Sequence, residues 1–270
     1  MSAHTTFHVE QQGPVAHVQI NRPHKRNAMN AVFWLELGEI FTSLDADDSV
    51  RAVVLSGAGA HFSSGMDIAL LSQIASELGP DAGRNARLLR RKILGLQSAI
   101  TAVEQCSKPV LAAVQGYCIG GAMDLIAACD MRYCAADARF SIKEVDMGMA
   151  ADLGTLQRLP RIISDGMLRE LAYTGRDMQA DEALRVGLVN QVFATAPGLL
   201  EGVLGVAAHI AGKSPLAVTG TKRMLTYMRD HSVADGLDYV ATWNAAMLQS
   251  ADVNIAMAAT LSQQPARFDD

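Results

Sequence analysis

Residues 108–160 read KPVLAAVQGYCIGGAMDLIAACDMRYCAADARFSIKEVDMGMAADLGTLQRLP, and the fold turns on this stretch. Val110 to Val114 is an apolar run of strand character that leads into Gly116, Gly120 and Gly121. A helical run, Ala122 to Cys129, follows, with Asp124 set between Met123 and Leu125. Glu144 and Asp152 lie further on, again in apolar, glycine-containing sequence. Acids are rarely buried without a reason. Three of them in poorly solvated sequence, Asp152 with small residues around it, mark a candidate site beside a glycine turn. Free N–H groups at a helix start bind anionic oxygen, and glycine lets a ligand approach the backbone.

These residues carry a resemblance. The stretch is similar to the crotonase (enoyl-CoA hydratase/isomerase) superfamily. The three acids, with KEVDMGMAADLGTLQRLP around two of them, most resemble its Δ3,5-Δ2,4-dienoyl-CoA isomerase branch. The likeness runs from about residue 8 to the C-terminus and is thin after Pro197.

The chain has 270 residues, half of them hydrophobic, enough for a sizeable core without disulfides or metal. Net charge is −5 and there is no long basic run, which argues against nucleic acid as a partner. No apolar run reaches membrane-span length. Residues 1–13, MSAHTTFHVEQQG, lack a signal-peptide pattern, and the ending RFDD is not a peroxisomal address. Cys106, Cys118, Cys129 and Cys134 have no CxxC spacing and read as reduced thiols, so a cytoplasmic protein is expected. The histidines, among them His17, His61 and His209, form no metal motif.

Upstream, Val15 to Asn21 alternates as a strand does and ends at Arg22-Pro23. His24, Lys25 and Arg26 follow, and Asn30 is placed to cap a helix reaching about Leu44. Arg51 to Ser56 is a second strand. It feeds Gly57 through Asp67 (GAGAHFSSGMD) and then a helix. This loop is neither GxGxxG nor GxSxG. Residues 76–84 are turn-rich and expected to be mobile. A long helix over Ala86 to Glu104 precedes the central strand. Beyond it come strands at Met131–Ala135 and Arg139–Ile142, and helices at Ser164–Tyr173 and Met178–Arg185. Gly187–Val189 and Val192-Phe193 close a last strand. Strand and helix alternate, so the class is α/β. Three helical segments follow Pro197: Leu199–Ala211, Pro215–Met228 and Ala234–Met247. Gly205 to Ser214 only superficially resembles a P-loop.

The resemblance implies a crotonase-like spiral of ββα units over residues 1–196, holding the acyl-CoA site. It also implies a C-terminal helical oligomerisation region over 197–270, and a homotrimer or hexamer. Its oxyanion hole falls on the amides of Met66 and Gly121. Substrate contacts fall on Lys25, Arg26, Ala28, Met29, Ser64, Asp67 and Gly120, with Arg267-Phe268 as a weaker candidate for CoA. Many members carry a lysine two residues after the aspartate; this chain has Ala69. Coenzyme A enters as part of the substrate, and no cofactor is implied.

By the same resemblance, Asp152 takes a C2 proton, Glu144 delivers one at C6, and Asp124 is an auxiliary hydrogen-bonding group. Hydratases of the family place glutamates at 124 and 144 and a small residue at 152. The expected activity is therefore isomerisation of 3,5-dienoyl-CoA in fatty-acid β-oxidation, with 2-enoyl-CoA hydration as the alternative. A non-catalytic acyl-CoA-binding member, a dehalogenase and a thioesterase are further alternatives. The bland alternative for the acids is helix capping, or pairing with Arg132, Lys143 or Arg158.

Overall fold

The computed structural model describes residues 4–269. It opens with an antiparallel hairpin, β1 (Phe7–Gln12) and β2 (Val15–Ile20). The short run FHVEQQ was not read from sequence as a strand. Helix α1 (Ala31–Ala46) starts where Asn30 accepts from Phe33 N, the expected cap, and buries Phe33, Leu37, Ile40 and Phe41. Then come β3 (Ala52–Gly57), α2 (Ile68–Ser76) and α3 (Ala82–Gln105). Between α2 and α3, Asn85 brackets Gly79 with two hydrogen bonds, so this turn is closed by its own side chain.

The quoted stretch supplies β4 (Val110–Val114), β5 (Tyr117–Ile119), α4 (Gly121–Ala127), β6 (Met131–Ala135) and β7 (Arg139–Ser141). It ends in the short α5 (Thr155–Arg158). α6 (Asp165–Thr174), β8 (Met178–Gln179), α7 (Ala180–Arg185) and β9 (Gln191–Phe193) follow. The helix expected over 178–185 is thus a two-residue strand and a shorter helix. Gly187–Val189 is a turn, with Leu188 and Val189 both bonded to Ala183 O.

The main sheet has the order β1-β2-β3-β4-β6-β9 and is parallel from β2 onward. Its central strands, such as AVVLSG, are buried along their whole length, as a parallel sheet covered on both faces requires. A second sheet, β5-β7-β8, branches off beyond β4. The ββα unit shows in β1-β2-α1 and β4-β5-α4, so the α/β class and the spiral are as expected.

Helix α8 (Ala196–Ala211) buries Leu199, Val203 and Ala207 against Val54, Leu111 and Tyr133 of the sheet. The division expected at residue 197 therefore moves. α8 is part of the core, and the outlying region is α9 (Pro215–Tyr227), α10 (Val233–Met247) and α11 (Ala251–Ser262). The last of these was not read from sequence. The C-terminal ends of β2, β3 and β4 open onto one edge, the usual place for a ligand in such sheets.

Candidate active site

At that edge, loops are stitched together by backbone. Phe62 N donates to Gln115 O, Ser63 N to Tyr117 O, and Ile119 N to Ser63 O. Met29 N donates to Gly65 O and Asp67 N to Met29 O. Gly65 has φ +85°, and a Cβ there would strike Ile119 O while lying 3.4 Å from Gly121 N. A Cβ on Gly121 would lie 3.8 Å from Met66 N. The amides of residues 66 and 121 thus share one small space. Among the described residues, no acceptor engages either N–H. Gly121 also opens α4, so the positive helix end faces the same space. The arrangement suits an oxygen that gains negative charge.

The acids stand around this space. Asp124 lies one turn into α4 and is 1 % exposed. Its Oδ1 accepts from Thr155 N at 2.6 Å. Burial pushes its pKa up to about 6, against that hydrogen bond, and the charge of Asp152 adds to the rise. Glu144 begins the turn after β7. A Cβ on Gly120 would lie 3.2 Å from its Oε1, so the acid sits over the glycine turn. Its Oε2 is buried with no partner among the described residues. Burial, then the charges of Asp124 and Asp152, push its pKa up to about 7.

Asp152 was expected to be poorly solvated; its side chain is in fact exposed at the rim. Partial desolvation still raises its pKa. The alternative partners of the acids are engaged elsewhere. Arg132 donates to the carbonyls of Leu188, Ile126 and Cys129. Lys143 pairs with Asp146 and Asp177, and Arg158 with Glu104. Among the described residues no cation forms an ion pair with any of the three acids, although the more distant charge of Arg158 acts to lower the Asp124 pKa, so they cannot all ionise easily.

The sequence profile described as enoyl-CoA hydratase/isomerase matches residues 10–270. The chain belongs to that family. It is 53 % identical over 256 residues to the peroxisomal Δ(3,5)-Δ(2,4)-dienoyl-CoA isomerase of Arabidopsis thaliana, covering 94 % of this chain and 92 % of that protein. It is 52 % identical over 251 residues to the mitochondrial enzyme of the same name from Homo sapiens, covering 92 % and 76 %. The crystal structure of an enoyl-CoA hydratase from Bacillus anthracis superposes with TM-score 0.89 at 27 % identity, covering 98 % of this chain and 99 % of that one.

The remaining residues that the family resemblance pointed to lie close by. Lys25 and Arg26 are exposed on the turn after β2, while Ala28 is half-buried and Met29 buried. Ser64 N donates to Arg26 O, which fastens that turn to the loop before Met66. Asp67 is turned to structural use: its carboxylate caps α2 at Ala69 N and pairs with Arg22 at 3.1 Å. The weaker candidate, Arg267-Phe268, is misplaced in its own chain. Phe268 O accepts from Arg51 at 2.8 Å, at the start of β3, the opposite end of the strands from Lys25.

Sequence reading missed Arg22, which also donates to Ala28 O, and Asn27. Asn27 is fully buried with φ +57°, and its side chain bonds Ala58 O, His61 O and Arg22 N. Asparagine tolerates that left-handed conformation better than most residues, and this was the available signal. A cavity of about 790 Å³ lies elsewhere, on the far side of the Leu153–Arg158 segment. Gln97, Glu104, Arg132, Leu153, Gly154 and Arg158 are among its walls, and none of the three acids is.

Proposed function

We propose that this chain isomerises 3,5-dienoyl-CoA to 2,4-dienoyl-CoA in fatty-acid β-oxidation. The observation that carries the reading is the third carboxylate. Asp152 lies on the same short segment whose Thr155 N holds Asp124, and its charge acts on both Asp124 and Glu144. Asp152 takes a proton from C2, and the electrons shift along the diene. The thioester oxygen carries the resulting charge between Met66 N and Gly121 N. Glu144 gives a proton to C6, leaving double bonds at C2 and C4. The site then exchanges protons to restore Asp152 and Glu144. The protonation of Glu144 supports its role. Glu144, with its pKa near 7, still carries a proton close to neutrality, as a donor must. One oxyanion donor contributes about 3–4 kcal/mol in comparable enzymes.

Exposed Val145, Met147 and Met149 lie between Glu144 and Asp152 in sequence and offer apolar surface to an acyl chain. No cofactor takes part; coenzyme A arrives with the substrate. Turnover of a 3,5-dienoyl-CoA beside a 2-enoyl-CoA tests the reading. Faster hydration of the enoyl thioester would replace it with a hydratase built on Asp124 and Glu144.

The Lys25–Met29 turn is proposed to meet the CoA phosphates and pantetheine, with Gly120 and Ser64 lining the way to the thioester. Lys25→Ala with Arg26→Ala should raise KM several-fold and leave kcat nearly unchanged, because such contacts are remote from the reacting bonds. Steady-state kinetics would remove the turn from the site if KM did not move.

A homotrimer or hexamer is proposed from the apolar side chains that the C-terminal helices leave exposed, including Leu237, Met257 and Leu261. Sedimentation at micromolar concentration should show a trimer or larger, and a stable monomer would end this proposal. No helix among the described residues is long and apolar enough to cross a membrane. The four cysteines are free and buried, which suits a reducing compartment and supports a cytoplasmic placement.

A further inference from the structure

We infer that Gln97 on α3, together with the Arg158–Glu104 pair, positions the proposed catalytic segment Asp152–Thr155, and that Gln97 is therefore a positioning residue for the reaction. This rests on the reading of Asp152 as base.

The segment is held residue by residue. Gln97 Nε2 donates to Asp152 O at 2.6 Å. Arg158 Nη1 donates to Leu153 O at 3.3 Å. Gly154 has φ +128°, and the guanidinium of Arg158 fills the space where a Cβ would stand. Thr155 N then closes on Asp124 Oδ1. Asp152, Leu153 and Thr155 are thus fixed by polar contacts and Gly154 by close fit, and the last contact reaches a second acid.

Packing alone cannot set this geometry. Leu153 and Thr155 are buried, but the far side of the segment faces the 790 Å³ cavity, with Leu153 and Gly154 in its wall. Without close packing on that side, a segment is free to shift unless directional bonds hold it. Arg158 is anchored in turn. Its Nη2 meets Glu104 Oε2 at 2.8 Å, and Glu104 also takes Arg229, which follows α9. Desolvation works to raise the pKa of Glu104, yet the hydrogen bond and charge of Arg158 and the charge of Arg229 hold it below the usual range. Both braces start from α3, a helix of 24 residues that packs along α1. A rigid helix therefore sets where the proposed base stands.

The carboxylate of Asp152 is exposed, and among the described residues only its own backbone N–H engages it. Its direction follows from its backbone, and a shift of about 1 Å in such a group costs up to about 100-fold in rate. The test is Gln97→Met, which keeps length and removes the donor. We expect kcat to fall about 10- to 100-fold with KM within about twofold. The alkaline limb of the pH profile, set by Glu144, should move to lower pH: loosening the Thr155 bond raises the Asp124 pKa, and the Asp124 charge that lifts Glu144 is weakened. Glu104→Gln, which weakens the Arg158 anchor, should move kcat and the limb the same way. It also serves if Gln97→Met does not fold.

A purely structural role would lower the melting temperature or active fraction and leave the limb and the per-site kcat unchanged. That result, or wild-type kinetics in both variants, overturns the inference. Asp152→Asn measured in parallel separates the layers. If it is slow while Gln97→Met and Glu104→Gln are normal, only the bracing fails. If Asp152→Asn is itself normal, the base assignment and the bracing fall together.

Discussion

Asp152→Asn is expected to slow isomerisation of a 3,5-dienoyl-CoA by about 10²–10⁴-fold, with KM nearly unchanged. Asparagine keeps the volume but cannot accept a proton from carbon. The backbone of residue 152 is held through its carbonyl by Gln97, a contact the substitution leaves intact. The side chain is exposed, so stability should change by no more than about 0.5 kcal/mol. Rate loss without a melting shift is thus the signature of a missing base. Steady-state rates and thermal unfolding on the same preparation would check it. A wild-type rate would make the third acid structural.

Glu144→Gln should cost about as much, 10²–10⁴-fold, because it removes the proton bound for C6. The pH profile gives a second reading of the same residue. A carboxyl with its pKa pushed up to about 7 is protonated below that pH and loses its proton above it. Activity should therefore fall as pH rises through about 7. It should also fall in acid, where Asp152 becomes protonated. The Glu144→Gln variant should lose the alkaline limb. In deuterium oxide, wild-type product should carry deuterium at C6, read by mass spectrometry. An alkaline limb surviving in the variant would place the donor elsewhere.

Much of this was legible in the sequence because it is local. The run into Gly120-Gly121, the cap at Asn30 and the acids at 124, 144 and 152 each announce themselves within a few residues. The family resemblance then assigned roles that spacing alone does not. What stayed hidden depends on distant partners. Gln97 meets residue 152, and Glu104 meets both Arg158 and Arg229, across separations no periodicity encodes. The solvation of Asp152 was misjudged for the same reason: small neighbours in sequence say little about which neighbours in space cover a side chain. α11 escaped notice because ADVNIAMAATLS buries no residue and shows no clear apolar stripe. The place of α8 could not be read either, since its apolar face gives no sign of whether it covers this sheet or a neighbouring molecule.

The proposed oxyanion space is built from main-chain N–H groups and held by main-chain bonds between the Ser63 loop and β5. Every amino acid except proline brings such a group. Position 66, whose side chain packs on the core while only its N–H is needed, should therefore accept other apolar side chains without loss of chemistry. Gly65 has no such latitude, because its left-handed backbone and the nearby Ile119 carbonyl exclude any side chain. Tolerance and intolerance to substitution sit one residue apart. A deep mutational scan of residues 64–67 would record a permissive column beside a forbidden one, with the permissive column belonging to a residue proposed to donate to the reacting oxygen.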